Sequence, residues 1–170
     1  MIERTRVLVI ASGMHEMHKV EAFIEEISDE FNINHSYFGH ILVAVTEAVK
    51  NAVVHGNQGD PGKKVRLLFE AREHELVFTV SDEGQGFDPE LIPDPSDPGS
   101  NADAGRGIFL INRLADNVSW NESGNSISFE FSIASINFIK SSDRIRRLKD
   151  YYKSEEDLIR KEDYEHKGGG

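Results

Sequence analysis

Glu47-Ala48-Val49-Lys50-Asn51-Ala52-Val53-Val54-His55-Gly56-Asn57 is the stretch that decides the fold of this chain. At about 100° per residue, Glu47, Asn51 and His55 fall four apart on one helical face. Phe38, Ile41, Leu42, Val45, Val49, Ala52 and Val53 gather on the nearly opposite face. Such a helix buries one side and strings a carboxylate, an amide and an imidazole along the other. Ala44 and Ala48 flank that polar stripe, so it is expected to face a pocket and not bulk water. Asn34 or Ser36 supplies the N-cap and Gly56 the stop.

Two more clusters follow at a distance. Val65, Leu67 and Phe69, then Leu76, Phe78 and Val80, alternate as a hairpin turning at Glu73 and His74. Its second strand runs straight into Asp82-Glu83-Gly84-Gln85-Gly86-Phe87, which places a carboxylate at a strand end beside two glycines. After a stretch from Asp88 to Ala104 that holds four of the five prolines, Gly105-Arg106-Gly107 is read as a glycine loop opening a helix with Ile108, Leu110, Ile111 and Leu114. The proline-rich stretch is expected to be a lid or a disordered segment.

Each cluster has a chemistry. Asp82 can accept from the exocyclic amine of adenine, a charged hydrogen bond contributing about 1.5–3 kcal/mol. Gly84 and Gly86 would let the backbone pass close to base and ribose. Asn51 offers an amide oxygen to Mg²⁺, which keeps several waters and takes one or two protein ligands. Glu47, one turn earlier, can receive a proton from an attacking hydroxyl or position a water. Gly105, Arg106 and Gly107 would offer backbone N–H groups and one fixed positive charge to phosphate. His55 is read as a structural residue closing the helix. Taken singly, an Asp-Glu-Gly-Gln-Gly run is an ordinary turn and a Glu–Asn pair an ordinary helix surface. Together, in this order, the three clusters point to an adenine nucleotide pocket. A P-loop is excluded because its Lys-Ser/Thr is missing, and a Rossmann site because no glycine fingerprint follows the first strand.

Around this centre, Val7, Val9 and Ile10 mark a first strand within Ile2 to Ala11, ended by Ser12 and Gly13. Met17, Val20, Ile24, Ile27 and Phe31 make the apolar stripe of a first helix. Asn117 to Glu122 and Ser126 to Ile133 close the domain as a hairpin about Ser123, Gly124 and Asn125. The order strand, helix, helix, strand, strand, lid, helix, strand, strand suits an α+β fold, a two-layer sandwich of one mixed sheet with helices on one face.

The sequence is 170 residues with a formal net charge of -11, enough for one substantial core. The charge disfavours nucleic acid as a partner. There is no cysteine, so disulfides and thiolate metal sites are excluded. No apolar run suits a membrane span, and the N-terminus lacks a signal-peptide pattern, so a cytoplasmic protein is expected. Residues 1–133 are assigned to the domain and 134–170 to a charged extension with nine basic and eight acidic residues. Two readings of that extension stand side by side: an extra docking helix, or a solvated and partly disordered tail.

At these residues the sequence resembles the GHKL ATPase superfamily, with Glu47 to Asn57 similar to its N-box, Asp82 to Phe87 to its first glycine box and Gly105 to Leu110 to its second. The form Glu-Ala-x-x-Asn-Ala-x-x-His-Gly further resembles the anti-sigma-factor serine/threonine kinases of bacteria, over about Arg4 to Ile133. The resemblance implies a Bergerat fold, ATP with Mg²⁺, frequent homodimers, phosphorylation of an anti-sigma-factor antagonist protein and sequestration of a sigma factor. It implies Glu47 as catalytic base, Asn51 as magnesium ligand, Asp82 with Gly84 and Gly86 at adenine, and Gly105, Arg106 and Gly107 at the phosphates. A nucleotide-gated binding module without phosphotransfer is the alternative. A histidine kinase's catalytic domain is weaker, since no dimerisation hairpin accompanies His15 and His18.

Overall fold

A computed structural model describes residues 4–92 and 102–132, together with Arg146. The extension 134–170 otherwise lies outside the described residues, as do residues 93–101 of the expected lid.

Strand β1 (Arg4–Ala11) leads through a 3₁₀ turn, Met14–Glu16, into helix α1 (Met17–Phe31). The apolar stripe of α1 is buried as its spacing requires, at Val20, Ile24 and Ile27, and Phe23 joins it. The helix stops at Asn32, whose left-handed φ of 49° lets its N–H turn back to the carbonyls of Asp29 and Ser28. Asn34 then caps α2 (His35–Asn51), its side-chain oxygen accepting from the Ser36 amide at 2.9 Å. Where a simple helix end was expected, α2 widens into one π-helical turn, Ala52–Gly56, which carries the chain to Asn57.

The hairpin is β2 (Lys64–Ala71) and β3 (Glu75–Ser81), with the alternation expected of it: Val65, Leu67, Phe69, Leu76, Phe78 and Val80 are all buried. Helix α3 spans Ala102–Leu114, and β4 (Asn117–Trp120) and β5 (Ser126–Ser132) complete one sheet in the order β1-β2-β3-β5-β4. The two-layer α+β expectation holds. The mixed sheet does not: every described pairing is antiparallel. The reason is connectivity, since hairpins join β2 to β3 and β4 to β5, and the longer connections also return each strand against its neighbour's direction.

The helices share one core with the inward face of the sheet. Phe69, Phe78 and Phe129 lie in one cross-strand row, and Phe31 of α1 meets Phe69 edge-on at 5.4 Å between ring centres. A second row, Leu67, Val80, Ile127 and Trp120, crosses the same face closer to the end of β3. The opposite face carries hydroxyl pairs, Thr79 with Ser128 and Ser81 with Ser126, and an Arg72 bridge to Glu70 and Glu130.

Candidate nucleotide site

The second row ends in a cavity. Val80, Ile127 and Trp120 form its floor, Ala48, Asn51, Ala52, His55 and Gly56 its α2 side, and Asp82, Gln85, Gly86 and Phe87 the loop leaving β3; its volume is about 490 Å³. That volume lies within the roughly 300–1,000 Å³ of small-molecule pockets.

Asp82 is fixed before any ligand arrives. Its amide donates to the Asn125 carbonyl at 3.0 Å, and its Oδ1 accepts from the Gly84 amide at 2.8 Å. The carboxylate lies against Gly56, where any Cβ would overlap it. Gly56 therefore does more than end a helix: it lets the acid of one cluster close on the backbone of another. Buried Asn57 holds the two together, donating from Nδ2 to the Lys64 carbonyl at 2.9 Å and accepting at Oδ1 from the Glu83 amide at 2.8 Å. Burial pushes the Asp82 carboxyl above its ordinary value, against the opposing pull of the Gly84 amide and the Lys63 ammonium. A carboxylate held partly desolvated in a cleft marks a candidate binding group.

The third cluster closes on the first. A Cβ at Gly107 would stand 2.8 Å from Glu47 Oε2 and 3.1 Å from Asn51 Nδ2. Glycine thus lets α3 pack against the polar stripe of α2, and Glu47 and Asn51, both half-buried, share that seam. Gly105 to Gly107 do not precede the helix as expected; α3 begins at Ala102, and they lie inside it. The glycines there serve close helix packing and not a loop, which is why spacing alone misplaced them. Gly105 and Gly107 are buried, whereas Arg106 is exposed and does not line the cavity.

Of the predicted residues, Asn51, Asp82 and Gly86 line the cavity, Gly84 braces Asp82, and Glu47 stands behind the lining beside Gly107. Lys63, Phe87, Trp120, Asn125 and Ile127 also line it; Phe87 closes the second sequence cluster without a role there, and the others stand outside all three clusters. Phe87 had a signal, directly following the glycine pair. Trp120 and Ile127 had only the alternation of their strands, which says inward but not against what.

A family model described as the histidine kinase-like ATPase domain matches residues 10–131. The chain belongs to that family. The match runs from the end of β1 through most of β5 and takes in all three clusters of this histidine kinase-like ATPase domain. Among curated relatives, the serine-protein kinase RsbW of Staphylococcus aureus, strains MSSA476 and JH9, is 37% identical over 95 residues, which is 51% of this chain and 60% of the relative. The chain thus matches less than two thirds of those relatives' length. The solved RsbU and RsbW domains of Rv1364c from Mycobacterium tuberculosis share the fold, with a TM-score of 0.50 and 18% identity over 76% of this chain and 32% of that one.

The residues present fit ATP and Mg²⁺. The cavity is lined by the Asp82 carboxyl and the Asn51 amide, with Glu47 behind the lining, and Gly107 puts no side chain between that Asn–Glu pair and α3. Among the described residues no group of three or more His, Cys, Asp or Glu could hold a metal. A magnesium ion here would rest on the Asn51 amide oxygen, phosphate oxygens and water, the habit of that ion.

Proposed function

We propose that this chain is an ATP-dependent protein serine/threonine kinase of the anti-sigma-factor type, which phosphorylates an antagonist protein and sequesters a sigma factor by partner switching. The observation that carries the proposal is the seam of α2 and α3, where Glu47 and Asn51 meet Gly107 next to a cavity whose lining includes Asp82. The relatives named serine-protein kinase support it.

In this reading Asp82 accepts from the adenine amine, and Gly84 and Gly86 keep the backbone close to the base. Asn51 holds Mg²⁺, and Gly105, Arg106 and Gly107 border the phosphates, with Arg106 swinging in from its exposed position. Bound ATP supplies the transferable phosphoryl group. Glu47 takes the proton of the attacking serine or threonine hydroxyl, and its half-buried place beside Asn51 keeps the carboxylate near the phosphoryl end. The partners are proteins, an antagonist and a sigma factor, and a second copy of the chain. No described helix is long and apolar enough to cross a membrane.

Incubation with ATP, Mg²⁺ and a purified antagonist tests the proposal. Acid-stable phosphoserine or phosphothreonine is expected on the antagonist, and its absence with nucleotide still bound favours the second reading, a nucleotide-gated binding module. One observation favours that alternative: Glu47 does not itself line the cavity.

A further inference from the structure

Two aromatic rings line the cavity without a part in the chemistry above. Phe87 and Trp120 meet edge to face at 4.7 Å between centres, and both line the cavity. Phe87 is 42% exposed, and Leu91, which also lines the cavity, is 79% exposed. Trp120 is half-buried against the core, whereas Phe87 leaves part of its ring open.

The backbone around the pair is interlocked. Gly86 (φ 76°) faces the Ser123 carbonyl and Gly124 (φ 71°) faces the Phe87 carbonyl, each so closely that a Cβ would collide with it. The loop that leaves Asp82 is thereby clamped to the turn between β4 and β5. Asp82 donates its amide to Asn125 in that same turn, so acid and rings share one rigid frame. Trp120 itself is in register with Ile127 at the end of the floor row.

We propose that Trp120 and Phe87 form an aromatic wall that contacts the purine ring while Asp82 reads its amine, making Trp120 an affinity-determining residue of the base subsite. The inference rests on the nucleotide reading of the cavity and deepens it. Aromatic side chains hold bases through their faces or edges without consuming hydrogen bonds, so the wall supplies affinity and Asp82 the choice of base.

Trp120 is the sole tryptophan of the sequence, so its emission reports this wall alone. Saturating the full chain with ATP and Mg²⁺ is expected to cut acrylamide quenching of that emission by roughly half, whereas inorganic triphosphate leaves it unchanged. Trp120→Ala is expected to weaken ATP and ADP equally, by about tenfold in calorimetry, and Trp120→Phe by less than about threefold. The melting temperature of each nucleotide-free variant separates a binding defect from a folding one, and the quenching experiment on the parent stands if Trp120→Ala does not fold. Unaltered quenching with ATP bound, or unaltered ATP affinity in a folded Trp120→Ala, overturns the wall and leaves the nucleotide reading intact. Failure of the parent to bind ATP in calorimetry overturns both.

Discussion

Asp82 and Glu47 are two carboxylates with opposite demands. Asp82 carries a raised pKa because burial disfavours its charge. A folded-state value above the unfolded one means the proton stabilises the fold: that contribution is full below the ordinary value of 3.8 and lost as pH rises through the raised value. Once ionised, Asp82 in the nucleotide-free protein therefore bears a partly buried charge that does not help it fold. Asp82→Asn should hold or slightly raise the melting temperature at pH 7 while weakening ATP by at least about tenfold, the worth of one charged hydrogen bond. Calorimetry paired with thermal melting checks both arms, and a variant that melts early but binds normally would reverse the assignment. In the parent, ATP affinity should fall as pH drops through the raised value, because the ionised carboxylate accepts from the amine more strongly than the neutral acid. Glu47→Ala, in contrast, should leave ATP binding within about threefold and lower phosphotransfer by about 10²–10⁴-fold, the range of general-base catalysis. Undiminished transfer would remove Glu47 from that role.

At the scale of the element, α2 and α3 meet through an absent side chain. Gly107→Ala should make α3 intrinsically more helical by roughly 1 kcal/mol, yet its methyl would press on Glu47 Oε2 and the Asn51 amide. Stability near the parent's with phosphotransfer reduced by about tenfold or more is the expected pair of results, the second following from an ångström-scale displacement of reacting groups. Asn57 is the other joint. Asn57→Ala removes a partner from both the Lys64 carbonyl and the Glu83 amide, and urea denaturation should register a loss of about 2–4 kcal/mol. The helix of the N-box was legible because its two faces separate cleanly in residue type, as were the β2–β3 hairpin and its inward set, because alternation has period two. The π-helical turn was not, since Ala52 to Gly56 satisfy an α pattern equally well, and only the need to bring Gly56 onto Asp82 distinguishes them. The start of α3 was misplaced for a related reason: glycines read as a loop until a packed partner shows why a helix would keep them. The antiparallel closure of the sheet depends on how long connections return, which residue patterns do not carry.

For the whole molecule, the essential fact is convergence. Residues as far apart in the chain as Ala48 and Ile127 meet because one sheet row ends where α2, the loop after β3 and the β4–β5 turn come together. The three clusters were readable as a set from their residue types, but the aromatic and aliphatic lining was not, because a strand's inward face looks the same over core and over cavity. A ligand that bridges these elements should stabilise all of them, so ATP with Mg²⁺ at a hundred times its Kd should add about 2.7 kcal/mol to unfolding, visible as a higher melting temperature. The most direct measurement is a calorimetric titration of the full chain with ATP in the presence of Mg²⁺. Saturable binding of one nucleotide per chain, strongly weakened in a well-folded Asp82→Asn variant, is the predicted result; no binding at about millimolar ATP, or equal affinity in the variant, would contradict it.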